Sequence, residues 1–135
     1  GYEKAMAELG RRPQILELSE RETSFAGGRQ AARRFAGLTP RPDAIQAYSD
    51  VVALGFLAGL HDQGLRVPED VALVGFDDRH AAALSAPPLT TVAQPHRQVG
   101  EAAAEILLRK IRGDAAPRRG WSRALPTTLV IRETA

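Results

Sequence analysis

The chain has 135 residues, 44% hydrophobic and 25% charged, which is the balance of one soluble globular domain. It has no cysteine, which excludes disulfides and thiolate chemistry, and no stretch resembles a membrane span or a signal peptide. The formal net charge is only +2, and the pairs Arg11-Arg12, Arg33-Arg34 and Arg118-Arg119 are dispersed, so they read as solvated surface rather than a nucleic-acid footprint.

Residues 1–10 read as a helix, with Ala5, Met6 and Leu9 as its apolar stripe and Gly10 as its stop. Residues 14–18 are a short strand candidate, and residues 19–24 a polar loop. Helix resumes over 26–35, where Gly27-Gly28 lets another backbone approach closely. Residues 43–48 form the next strand. Ser49-Asp50 follows as a pair of good N-cap residues, and the helix over 51–63 is apolar on almost every side, so it is buried or in an interface. Gly64 ends it.

Val71-Ala72-Leu73-Val74-Gly75-Phe76 is then an uncharged, Val-rich run that reads as a strand buried on both faces. It runs into Asp77-Asp78, which places two carboxylates at the strand's carboxyl end, where ligands bind in open α/β sheets. Residues 79–84 form a short helix and 89–93 are β-prone. The helix over 97–112 has the clearest period, in Val99, Ala102, Ala103, Ile106, Leu107 and Ile111, and ends at Gly113. A polar loop covers 114–123, and 127–132 is a last strand. This alternation means an α/β fold with a largely parallel sheet.

Adjacent residues on an extended chain point to opposite faces, so Asp77 and Asp78 do not serve one reaction centre. One faces the crevice; the other caps the next helix or takes a surface partner. Ser49 and Asp50 have the same strand-end position, where helix capping competes with ligand contact. His61, His80 and His96 lack metal-ligand spacing, and Trp121 stands alone in a polar loop as a packing residue. No phosphate-cradling loop, nucleophile elbow or zinc-protease motif is present.

An ordered set of motifs carries a resemblance. It comprises Tyr48-Ser49-Asp50, Ala53-Leu54-Gly55, the run from Gly64 through Val67-Pro68-Glu69-Asp70 to Val71, and Val74-Gly75-Phe76-Asp77-Asp78. It continues through Pro87-Pro88-Leu89-Thr90-Thr91-Val92, Gln94-Pro95, Gly100, Leu125-Pro126, Leu129-Val130 and Arg132. The set resembles the effector-binding core of the LacI/GalR transcriptional regulators, most closely over 43–132. The resemblance implies a type I periplasmic-binding-protein-like fold, a three-layer α/β sandwich with a parallel sheet, present here as a fragment made mainly of the C-terminal subdomain. Residues 1–93 and 118–135 are expected in that subdomain, and 94–117 in a crossover segment normally belonging to the N-terminal one. The family's N-terminal helix-turn-helix, which binds an operator as a dimer, is expected outside this chain.

Carried over by position, the resemblance makes Asp77 the acceptor of ligand hydroxyls, with Ser49, Asp50 and Gln94 beside it. Ser49 stands where the family commonly has Asn. The family's aromatic stacking position falls on Thr23 by spacing or on Phe25 by chemistry. The dimer surface resembles Leu54, Leu57, Ala81, Leu84 and Ser85. This inventory suits a sugar or other polyol and also fits a purine base. No cofactor and no metal are implied. The expected protein is a cytoplasmic repressor that is not an enzyme. The alternatives are a periplasmic sugar-binding transport protein of the same fold, and a hydrolase using Asp77 or Asp78.

Overall fold

The computed structural model describes residues 1–19, 22–117 and 120–135. The Arg118-Arg119 pair, the expected boundary at 118 and positions 20 and 21 of the polar loop lie outside them.

Four strands form one sheet in the order β1-β2-β3-β4: β1 (Ala44–Gln46), β2 (Ala72–Asp77), β3 (Thr90–Ala93) and β4 (Thr128–Val130). β1, β2 and β3 run parallel; β4 returns antiparallel to β3, with Ala93 opposite Thr128. The helices are α1 (Tyr2–Glu8), α2 (Phe25–Ala36), α3 (Asp50–Asp62), α4 (His80–Leu84) and α5 (His96–Ile111).

Local chemistry explains where these helices start and stop. Ser24 caps α2 by accepting from the Gly27 amide at 3.1 Å, and Ser49 caps α3 by accepting from the Val52 amide at 3.4 Å. Gly64 just past α3 and Gly113 just past α5 have φ of +71° and +80°, a conformation that glycine adopts without a Cβ clash.

α2 and α3 pack against each other and close the core over β2. A Cβ on Gly28 would strike the Val52 carbonyl, and one on Gly55 would strike the Phe25 carbonyl, so both glycines are needed for backbones this close. Phe35 of α2 meets Phe56 of α3 edge-on, with ring centroids 5.5 Å apart. Leu60, Leu73 and Leu89 are fully buried around them, each stabilising the fold by about 1.5–3 kcal/mol.

Three expectations change. Residues 14–18 form no strand; Leu16 and Leu18 pack on the core from the side, but no neighbouring strand offers the segment a ladder. β2 is buried on one face only. Leu73 and Gly75 are buried, while Ala72, Val74 and Phe76 on the other face are partly exposed. The edge strands shorten, the first to three residues of the expected 43–48 and the last to three of the expected 127–132. Beyond the last strand the chain turns in and stitches the sheet: the Thr134 hydroxyl donates to the Leu73 carbonyl at 2.7 Å and accepts from the Thr90 amide at 2.8 Å.

Candidate functional site

The carboxyl ends of β1, β2 and β3 lie side by side, because the three strands are parallel and in register. That geometry gathers Ser49 after β1, Asp77 at the end of β2 and Gln94 after β3. Gln94 Nε2 donates to Asp77 Oδ1 at 2.6 Å, Arg79 Nε stands 3.7 Å from Asp77 Oδ2, and His96 Nε2 lies 3.0 Å from the Asp77 carbonyl. Asp77 keeps accepting capacity beyond the one amide it holds, since an ionised carboxylate offers about four lone-pair sites. It can therefore take hydroxyl or N–H donors from a small molecule, while Gln94 supplies one donor and one acceptor more.

Asp77 and Asp78 have φ of +118° and +55°. Such left-handed backbone costs a non-glycine residue on the order of 1–3 kcal/mol and persists only where surrounding contacts dictate it. Several do here. Asp78 Oδ1 accepts from Arg132 Nη2 at 2.6 Å, and the Arg79 amide donates to Asp50 Oδ2 at 2.7 Å. The two acids take different partners, Asp78 holding Arg132 while Asp77 holds Gln94 and Arg79. It does not cap α4, whose N-cap is Arg79 without a side-chain bond.

Asp50 does not cap α3 either; Ser49 does that. Asp50 is 0% exposed, and its other oxygen accepts from Thr91 Oγ1 at 2.5 Å. Both carboxylate oxygens are used inside the protein, so Asp50 reaches the crevice only through the loop it holds. Gly75 makes room for it, since a Cβ there would collide with Asp50 Oδ1.

Phe25 is not gathered with Asp77 and Gln94. It lines a separate open groove of about 1040 Å³ that also contains Leu54, Leu57, Ala81, Leu84 and Ser85. The structure thus brings the five expected interface residues onto one concave, mostly apolar surface, rimmed by His61, Asp62, Arg66 and Glu69. Thr23 is exposed just ahead of the α2 cap. Trp121 carries the Arg109 guanidinium over its ring at 5.2 Å. Among the described residues, no group of three or more His, Asp or Glu could hold a metal ion, and no helix is long and apolar enough to cross a membrane.

The model of the periplasmic binding protein-like domain matches residues 1–135. The chain belongs to that family, in its LacI/GalR branch. The HTH-type transcriptional repressor PurR of Photobacterium profundum is 31% identical over 134 residues, covering 99% of this chain and 40% of the relative. The repressor CytR of Escherichia coli is 34% identical over 132 residues, covering 98% and 38%. This LacI/GalR chain therefore spans about two fifths of the length of these relatives. Its fold superposes on the CelR–cellobiose complex with a TM-score of 0.88 at 32% identity, covering 99% of this chain and 40% of that one. A LacI-family regulator from Arthrobacter in complex with lactose gives 0.81 at 33% identity, covering 97% and 48%.

Sequence reasoning missed Arg132 and Thr134 as parts of this LacI/GalR assembly. Arg132 stood among the motif residues, but its partners Leu89 and Asp78 lie 43 and 54 positions away, and no local pattern points to them.

Proposed function

We propose that this chain is the effector-sensing part of a LacI/GalR-type transcriptional repressor, and that a sugar binds in the crevice formed by Asp77, Gln94 and Ser49. The observation that carries this reading is the Asp77–Gln94 pair, a half-buried carboxylate and amide bonded to each other at the carboxyl ends of parallel strands. Such a pair opens to accept and donate hydrogen bonds when polyol hydroxyls arrive. Two solved relatives bear names that pair them with cellobiose and lactose, which supports the sugar class. The same donors and acceptors also fit a purine base, which stands as the second reading. Thr23, at the start of α2, is the candidate for the remaining wall of the site.

In this proposal residues 1–93 and 118–135 belong to one subdomain and residues 94–117 to the other. α5 supports the division, because Ala102 is its one buried residue while Val99, Leu107, Leu108 and Ile111 are exposed. Leu54, Leu57, Ala81, Leu84 and Ser85 form the homodimer surface. Effector binding changes how the subdomains close, and closure shifts operator affinity through a separate helix-turn-helix, a coupling between two sites. The protein works in the cytoplasm, without a cofactor and without catalysing a reaction. A transport-binding protein of the same fold would instead carry an export signal.

The test is a thermal-shift titration of the intact regulator with cellobiose, lactose, hypoxanthine and guanine. A ligand that binds only the native state raises the melting temperature, by about 2.7 kcal/mol of added stability at a hundredfold excess over Kd. A sugar that raises the midpoint of the wild type and not of Asp77→Ala is the expected outcome. A base that does so transfers the crevice to a purine. A response that Asp77→Ala leaves intact removes the site assignment.

A further inference from the structure

We propose that Arg132 is a positioning residue for the crevice: it clamps the left-handed Asp77-Asp78 turn and thereby aims the Asp77 carboxylate, a role that rests on Asp77 being the effector's acceptor.

Three bonds fix Arg132 between the start of β3 and the turn. Its amide donates to Thr90 Oγ1 at 2.9 Å, Nη1 donates to the Leu89 carbonyl at 2.8 Å, and Nη2 donates to Asp78 Oδ1 at 2.6 Å. The first two tie the arginine to the start of β3, a rigid base whose residues Leu89, Thr90 and Thr91 are buried. The third transmits that base to the turn. The planar fork suits the task, because it holds a carbonyl and a carboxylate at once in fixed relative geometry, which a lysine ammonium does not. Its side chain is largely shielded, at 19% exposure, so the pair is only weakly screened by solvent.

The turn needs such an anchor. Asp77 and Asp78 are consecutive non-glycine residues at positive φ, so relaxed backbone would rotate both out of place. Behind them the Arg79 amide is held by the buried Asp50, which is itself bonded to Thr91 of β3. The turn is therefore pinned at Asp78 and at Arg79, from the two sides of β3, and between β2 and these pins Asp77 is held toward Gln94, with accepting capacity left for a ligand. Arg132 touches no part of the crevice itself, and its influence passes through Asp78.

Hydrogen exchange on the intact protein tests this without any ligand. The probe is the Arg79 amide, protected by Asp50, in wild type, Arg132→Gln, Arg132→Lys, Asp78→Gly and the double variant Asp78→Gly with Arg132→Gln. Arg132→Gln is expected to speed exchange at Arg79 by tenfold or more while the α3 amides keep their rates, with Arg132→Lys recovering part of the loss. In the Asp78→Gly background, where the carboxylate partner is gone and glycine adopts positive φ freely, Arg132→Gln should change nothing further. Uniform acceleration over the sheet and α3, or an unchanged Arg79, overturns the clamp.

Titration with cellobiose and lactose separates this from the functional reading. If Asp77→Asn and Arg132→Gln each weaken binding tenfold or more, both stand. If Asp77→Asn alone does, the clamp does not aim the carboxylate. If neither sugar binds the wild type, the sugar reading fails, and the exchange data alone decide the clamp.

Discussion

Asp50 is the residue on which most of the local order depends. It joins the first turn of α3 to β3 through Thr91 and to the loop after β2 through the Arg79 amide. Removing it leaves a buried hydroxyl and a part-buried amide unpaired, and hydrogen bonds to a charged group contribute about 1.5–3 kcal/mol each. Asp50→Ala is therefore expected to lower stability by about 3–5 kcal/mol in urea denaturation, with Asp50→Asn losing less because the amide keeps one acceptor. Asp62 and Asp70 contribute a pH dependence. The hydrogen-bonded Arg29 guanidinium holds the Asp62 carboxyl below its ordinary value, and Arg66 does the same for Asp70. A carboxylate depressed in the folded state adds stability above its unfolded value and loses it as pH falls through the folded one. The melting temperature should thus fall on acidification below about pH 4. Asp62→Asn with Asp70→Asn should flatten that fall, and salt should shrink it.

The elements differ sharply in what they bury. α3 places Val52, Phe56 and Leu60 in the core, whereas α5, longer by three residues, buries Ala102 alone. Leu60→Ala is expected to cost about 2–5 kcal/mol by leaving a cavity. Leu107→Ser on α5 should shift the stability of this chain by no more than about 0.5 kcal/mol. Chemical denaturation of both variants checks the contrast. The same difference shows what was readable beforehand. α3 announces itself by its capping pair and terminal glycine, and α5 by its period and terminal glycine, signals that lie within or beside each segment. β2 was readable as an uncharged run, but its burial depends on which helices cover it, and only one face is covered. The run at 14–18 has strand composition and no strand, since a ladder needs a neighbour that composition does not reveal. The candidate crevice followed the same rule: Asp77 was read from its place at a strand end and Gln94 from the family resemblance, while Asp50's inward role and the Arg132 bonds depend on partners 41 and 54 positions away.

At the scale of the whole molecule, one face carries the crevice and another the apolar groove lined by Leu54, Leu57 and Leu84. Leu84 is 71% exposed, so Leu84→Glu should leave the fold intact. On the proposed homodimer surface it should nevertheless shift sedimentation equilibrium of the intact protein toward monomer, since a charge in an apolar interface must be desolvated on association. An unchanged dimer would move the interface elsewhere. The sheet has a further property. Ala93 and Thr128 are cross-strand partners, so the chain leaves β3 and returns on β4 through two points about 5 Å apart. Everything between them, α5 included, is an insertion with closed ends. A two-residue Asn-Gly turn could join β3 to β4 as a plain hairpin. By the same token the segment is a ready-made cassette: exchanging it between relatives at these two positions would transplant α5 and its flanking loops while leaving the three parallel strands undisturbed.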